Sequence, residues 1–272
     1  MKRKPTADQL ILVTGGAGYI GSMLLSQLLA AGYRVRTIDN LTFGGMSLLP
    51  WLNHARFELI VGDIRKAEDI QRALEGVTAV VHLAAVVGDP ACRDNPELAK
   101  QTNTDGSILL CDMARARNVT RFVFASTCSN YGKMGDPDGY VNEDSPLNPI
   151  SLYAETKVGF EQYLAHGATS EFCPIILRFA TAYGLSPRPR FDLTVNEFTR
   201  DLALGKNLEI FGEQFWRPYC HVSDLAHACR LALETRKESL AGHALNVGST
   251  EENYTKRMLA EHICAGLNGG CD

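Results

Sequence analysis

LILVTGGAGYIGSMLLSQLLA, residues 10–30, is the stretch that decides the fold. Its first five residues, Leu10 to Thr14, form an apolar run of strand length, and apolar residues then return at helical spacing through Ile20, Leu24, Leu25, Leu28 and Leu29. Glycines 15, 16, 18 and 21 lie between the two patterns, so the segment reads as strand, tight turn, helix. The same alternation repeats outward. Strands are expected at 34–38, 57–61, 79–83, 121–125 and 174–177, with helical stretches between most of them and a crossover helix at 151–165. Parallel neighbours need such crossovers, so the expected class is α/β, a doubly wound parallel sheet covered on both faces. After Arg178 the pattern changes to a Ser186-Pro-Arg-Pro-Arg190 loop, a helix at 193–204, a short strand at 208–211 and a helix at 258–264. The expected division is a nucleotide-binding domain over 1–180 and a small substrate lobe over 181–272, with 219–248 packing back on the large sheet.

A chain of 272 residues with 45% hydrophobic content can bury such a core. The net charge of −4 and pI near 6.0 argue against nucleic acid or an anionic membrane as partner. The one basic run, Lys2 to Lys4, reads as a solvated tail. No apolar stretch approaches the roughly 20 residues that span a bilayer, and no signal-peptide core precedes the first strand, which makes the cytoplasm the expected compartment. Eight cysteines are scattered through the chain without a Cys-x-x-Cys pair, so reduced thiols are expected and no metal site.

The glycines at 15, 18 and 21 sit where a strand meets a helix N-terminus, whose free N–H groups and dipole favour a pyrophosphate; Tyr19 and Ile20 belong to the same turn. A ligand-free tight turn needs similar glycines. Asp39 closes the second strand roughly 20 residues further on, where a carboxylate accepts hydrogen bonds from ribose hydroxyls and repels a 2′-phosphate, favouring NAD over NADP. The lesser alternative is that Asp39-Asn40 is only turn chemistry after a strand. Arg36 lies within the strand and does not rescue NADP.

Tyr153 and Lys157 project from one face of the 151–165 helix, one turn apart. A phenol is a poor base at neutral pH, whereas a neighbouring ammonium stabilises its phenolate. Isolated Tyr and Lys at this spacing are usually surface decoration, and the pair gains meaning from the nucleotide fold before it. Ser126 and Thr127 fall at the carboxyl end of the fifth strand, where parallel sheets bind ligands, and a Thr127 hydroxyl there can reach the same substrate oxygen as Tyr153.

With Gly62-Asp63-Ile64, His82-Leu-Ala-Ala85, Asn103, Ser126 to Gly132, Arg178, Tyr183-Gly184 and Arg217-Pro-Tyr-Cys-His221-Val-Ser-Asp224 added, the chain resembles the NAD-dependent nucleotide-sugar epimerase and dehydratase family. These are extended short-chain dehydrogenases of the UDP-galactose 4-epimerase type. The resemblance implies a Rossmann domain with NAD held by Gly15, Gly18, Tyr19, Ile20, Gly21, Asp39, Asn40 and Asn103. It further implies Asp63 and Ile64 beside the adenine, and Leu83, Ala84 and Ala85 along the cofactor channel. Tyr153 would be the base, Lys157 would hold the nicotinamide ribose, and Thr127 would orient the reacting hydroxyl. A nucleotide-diphosphate sugar would meet Ser126, Thr127, Thr181 and Arg217, the last as a clamp on the diphosphate. Phe211 would pack near the nucleotide base or serve in the core. A homodimer through the helices at 96–116 and 152–165 is also implied.

The sequence departs from that family in three places. Dehydratases carry an acidic pair directly after the catalytic Thr, where this chain has Cys128 and Ser129. That gap favours 4-epimerisation through a transient keto sugar over elimination; Cys128 is either a proton-abstracting thiolate or a small apolar filler. Many relatives have Asn where Thr181 stands. The chain also stops at Asp272, some tens of residues early, with either a trimmed lobe or a truncated product. Net dehydrogenation or ketoreduction, 4,6-dehydration and cofactor binding without turnover stay open beside the epimerase.

Overall fold

The structure, a computed structural model, describes residues 9–133, 140–235 and 240–267; the basic run at 2–4 and the end at 268–272 lie outside them. Strand β1 (Leu10–Thr14) is buried at every position and alternates its side chains between two cores. Ile11 and Val13 face helix α1 (Tyr19–Ala30) and helix α8 (Val222–Glu234), against Leu24, Leu25, Leu28, Leu225 and Cys229. Leu10 and Leu12 face the other way, toward α2 (Ala67–Ala73), α5 (Ser107–Ala116) and α6 (Leu152–His166), among Ile70, Leu110, Phe160 and Leu164. A period of two on a strand between two helical layers requires this division.

Around β1 stand β2 (Arg34–Asp39), β3 (Phe57–Val61), β4 (Ala79–His82), β5 (Arg121–Thr127), β6 (Cys173–Phe179) and β9 (Ala244–Val247). All are parallel, in the order β3-β2-β1-β4-β5-β6-β9. The order reverses between β1 and β4, and a doubly wound sheet opens its ligand crevice at that point. The six strands expected from the sequence are present, and β5 runs two residues further than expected, with Thr127 as its last residue. The seventh, β9, comes late in the chain, and α8 before it packs on α1.

Short helices α3 (Asp89–Asp94) and α4 (Pro96–Lys100) lead through a wider π-type turn, Gln101–Gly106, into α5. The small lobe is a three-stranded sheet of β7 (Thr181–Tyr183), β8 (Trp216–His221) and β10 (Asn253–Thr255), with α7 (Thr194–Ala203) and α9 (Lys256–Gly266) against it. The strand expected at 208–211 does not form: among the described residues no neighbour pairs with it, and residues 211–214 make a turn. A lone strand leaves its N–H and C=O groups to water and has little to hold it. Cysteines 92, 111, 128, 173, 220 and 229 are reduced, as expected, whereas Cys264 is disulfide-bonded, which corrects the expectation of reduced thiols throughout. Among the described residues no group of His, Cys, Asp and Glu could hold a metal, and no helix is long and apolar enough to cross a membrane.

Candidate active site

A cavity of about 820 Å3 opens at the carboxyl ends of the strands, from the Gly15 turn to Tyr153. The glycines have separate causes. Gly15 has φ 74°, and a Cβ on it would lie 2.8 Å from the Ala84 backbone nitrogen; a Cβ on Gly21 would collide with the Gly15 carbonyl. Those two are required by the turn itself. Gly18 is different: it is the N-cap of α1, no side chain caps the helix there, and it lines the cavity. An uncapped helix N-terminus at a cavity wall suits a diphosphate.

Asp39 ends β2 with its carboxylate accepting from the Ala17 and Leu41 backbone N–H groups, each at 2.9 Å. It therefore ties the second strand to the glycine turn, holds a tight turn in which Leu41 takes φ 55°, and still lines the cavity. Burial pushes its carboxyl up, and those two N–H groups and the charge of Arg188 oppose the shift. Arg36 is consumed by Glu58 and by the Ala73 and Glu75 carbonyls, so it has no reach toward a 2′-phosphate. Asn40, Asp63, Ile64, Leu83, Ala84 and Ala85 line the same cavity; Asp63 is paired with Arg65, and Asn40 accepts from Thr42. His82 links Thr14 to Ser107 beneath it, neutral because burial pushes its pKa down to about 3.

Asn103 does not line the cavity. The π-type turn aims its amide at Val86, whose N–H it accepts at 2.8 Å and whose carbonyl it donates to at 2.9 Å, so it braces the wall after β4. Ser126 lines the cavity with Ala125, but its hydroxyl is not free for a ligand. Its hydroxyl is turned to buried Glu161 on α6 and accepts from Asn130, because alternate residues of a strand point to opposite sides. Thr127 is on the other side, lines the cavity and caps the following 3-10 turn by accepting from the Ser129 N–H.

Tyr153, Lys157 and Glu161 follow one face of α6, which Ser151 caps. Tyr153 and Lys157 line the cavity with Thr127. The Lys157 ammonium donates to the Ala125 carbonyl at 2.8 Å and lies 5.8 Å from the Tyr153 ring centre. Burial lowers the Lys157 pKa to about 8 and pushes the Tyr153 phenol well up, with Arg190 opposing the latter. Burial also pushes the Cys128 thiol up, although Arg217 opposes it, which disfavours a thiolate there. Thr181 lines the cavity, whereas Arg217 and Phe211 do not. Arg217 is exposed on β8, and Phe211 is 79% exposed, so a core role for that ring is excluded.

Sequence reasoning missed the segment after β7. Leu185, Pro187 and Pro189 are exposed while Ser186, Arg188 and Arg190 are half-buried, and both arginines line the cavity with Asp192. Proline restricts both itself and the residue before it to extended backbone, so the Ser-Pro-Arg-Pro-Arg pattern itself carries the signal for two arginines on one side. Asp89, at the start of α3, was missed too and lines the cavity near Tyr153.

The family described as NAD dependent epimerase/dehydratase matches residues 11–248. A UDP-glucose 4-epimerase of Azospirillum brasilense is 34% identical over 256 residues, covering 86% of this chain and 70% of that protein. Among solved structures, a UDP-glucose 4-epimerase of Thermus thermophilus in complex with NAD superposes with a TM-score of 0.83 at 29% identity, covering 97% of this chain and 85% of the other. A dTDP-glucose 4,6-dehydratase of Streptomyces venezuelae with NAD bound gives 0.85 at 30% identity, covering 96% and 82%.

Proposed function

We propose, for a chain that belongs to the NAD dependent epimerase/dehydratase family, the activity of a nucleotide-sugar 4-epimerase working through a transient keto sugar. The observation that carries it is one cavity lined by Tyr153, Lys157 and Thr127 at one end and by the Gly15 turn and Asp39 at the other, with no carboxylate at Cys128-Ser129. The Gly15 turn and Asp39 would hold NAD, which would supply reversible hydride acceptance at the sugar carbon and a positive ring that favours the phenolate of Tyr153. The chain's own residues do the rest. Tyr153 accepts the hydroxyl proton, and Thr127 donates a hydrogen bond to the same oxygen. Lys157 lowers the cost of the phenolate, which burial alone would raise. Arg217, whose charge reaches Cys128 and Tyr219 from β8, is assigned to the substrate diphosphate. A second copy is assigned to the α5 and α6 face, with sedimentation as the check.

Incubation with UDP-glucose or UDP-galactose, followed by NMR of the sugar, tests the assignment. Interconversion without net change in nicotinamide absorbance is expected. Stoichiometric NADH would instead mark net oxidation. Elimination of water from the keto sugar is favoured by one observation: Asp89, whose carboxylate accepts from Ser151 at 2.6 Å, lines the cavity and its charge reaches Tyr153. Solvent deuterium at C5 with loss of water would establish that outcome and remove the epimerase assignment.

A further inference from the structure

Among the described residues, Arg188 is the half-buried cation of the cavity whose charge has no partner. Arg190 beside it is held by Asp192, with guanidinium nitrogens 3.1 and 2.5 Å from the two carboxylate oxygens. Among the described residues no carboxylate lies within ion-pair distance of Arg188; Asp192, already engaged by Arg190, and Asp39 act on it only from further away. Burial and the charge of Arg190 hold its guanidinium below the ordinary arginine range. A cation partly removed from water next to another cation is unfavourable unless an anion is supplied.

Its position is also fixed in advance. The guanidinium carbon sits 4.3 Å from the Phe43 ring centre, a stacking arrangement that holds the planar fork in place. Phe43 follows Asp39 by four residues and lines the cavity. Two residues before Arg188, Ser186 donates to the Tyr19 carbonyl at 2.7 Å and meets Ser22 Oγ at 2.9 Å, both in the first turn of α1. Tyr19 Oη donates to the Gly184 carbonyl at 2.5 Å, and Asn196 of α7 binds the Gly184 N–H, Tyr19 Oη and the Arg190 carbonyl. The whole segment from Gly184 to Arg190 is thus fastened across the N-terminus of α1. Leu185, Pro187 and Pro189 are turned outward, leaving only Ser186, Arg188 and Arg190 to face in.

Resting on NAD as the cofactor of this cleft, we propose that Arg188 closes over the cofactor diphosphate from the side opposite the α1 N-terminus, so that the 184–190 segment acts as a strap retaining the dinucleotide. The chemistry it answers to is an organic diphosphate, of which this protein would meet two. The neighbours choose between them. Arg188 stands with Phe43, Asp39 and Tyr19 at the ribose end, whereas Arg217, assigned to the sugar nucleotide, stands on β8 near Cys128. Retention has a use in an enzyme that must keep its reduced cofactor until the sugar has turned over.

The test uses cofactor-stripped full-length protein and titration calorimetry with NAD, ADP-ribose, adenosine and UDP, on wild type, Arg188→Met and Arg188→Lys. Equal melting temperatures without ligand show that the variants fold alike. Arg188→Met is expected to bind NAD and ADP-ribose ~10–100-fold more weakly, the size of a lost charge-assisted contact, with adenosine and UDP unchanged. Arg188→Lys should recover part of the loss, since it keeps the charge without the fork. Unchanged NAD affinity in Arg188→Met would overturn the proposal, as would a loss confined to UDP, which would move the contact to the substrate. A parallel loss of adenosine affinity would overturn it too, placing the effect in the Phe43 stack. Failure of the wild type itself to bind NAD would strike the cofactor reading instead, and is seen before any variant is made.

Discussion

Tyr153 and Lys157 share one face of α6, and their removal should have different consequences. Tyr153→Phe deletes one hydroxyl and leaves the ring packed, so NAD binding should persist while turnover falls by ~10²–10⁴-fold, the usual contribution of a general base. Lys157→Met should weaken both, since an ammonium placed between the Ala125 carbonyl and Tyr153 serves the cofactor end as well as the phenol. Steady-state rates and NAD titrations separate the two variants; joint loss of rate and binding in Tyr153→Phe would make that residue structural. Lys157 also leaves a pH signature in the cofactor-free protein. Its folded pKa of about 8 lies below the unfolded 10.5, so between these values the unfolded chain binds a proton that the native protein does not. Stability attributable to Lys157 therefore rises with pH across that window and is depressed below it. Buried thiols and phenols with raised pKa values act in the opposite sense from about pH 9 upward, so the readout is the difference between wild type and Lys157→Met. Melting curves at pH 7.5 and 10 should show the wild type gaining on the variant. A constant difference would mean that Lys157 is not charged at the cost its burial implies.

At the scale of elements, the join of β5, β6 and α6 holds the reacting groups in place. Arg178 on β6 and Glu161 on α6 form a buried pair at 2.8 Å, with side chains 7% and 4% exposed. Arg178 also donates to Tyr131 Oη and the Glu143 carbonyl, and Glu161 accepts from Ser126 and Asn130. Glu161→Leu leaves the guanidinium buried without its carboxylate and should destabilise by ~3–5 kcal/mol in urea unfolding, whereas a loss under 1 kcal/mol would mean that water replaces the partner. Such a network marks the limit of what could be read in the sequence. Residues 10–30 were legible because strand, turn and helix are local, as are the Tyr153 to Lys157 spacing and the end of β2 at Asp39. The direction of Ser126 was not, since it depends on where Glu161, 35 positions away, comes to rest. Strand β9 was missed because Ala-Leu-Asn-Val carries a polar residue and pairs only with β6, and three-residue strands such as β7 and β10 have no periodicity to detect. Asp89, at the start of a six-residue helix, and Arg188, in a loop, reach the cavity along a course set by tertiary contacts rather than pattern.

For the molecule as a whole, a net charge of −4 must coexist with a cavity proposed to take anionic ligands, and the cations that face it are gathered locally: Arg65, Lys157, Arg188 and Arg190 in the cavity, with Arg217 outside it on β8. The small lobe is where ligand has most to change. Phe211, Phe215 and Trp216 are all more than half exposed there, and Trp216 directly precedes Arg217. If Arg217 grips the diphosphate of the sugar nucleotide, the ligand must lie between β8 and the mouth of the cavity, and the indole next to it must lose water. The chain has two tryptophans, and Trp51 belongs to the 3-10 turn Met46–Trp51 near the other end of the cavity, so Trp51→Phe leaves Trp216 as the single reporter. Saturating UDP should then shift the emission of Trp216 to shorter wavelength, and Arg217→Ala in the same background should weaken the titration by ~10-fold or more without changing the emission of the free protein. NAD alone should leave the spectrum unmoved, since its end of the cavity lies away from β8. An emission maximum unaffected by UDP while calorimetry reports binding would remove Arg217 from the substrate site and put the diphosphate elsewhere in the cleft, with Arg190 the next candidate.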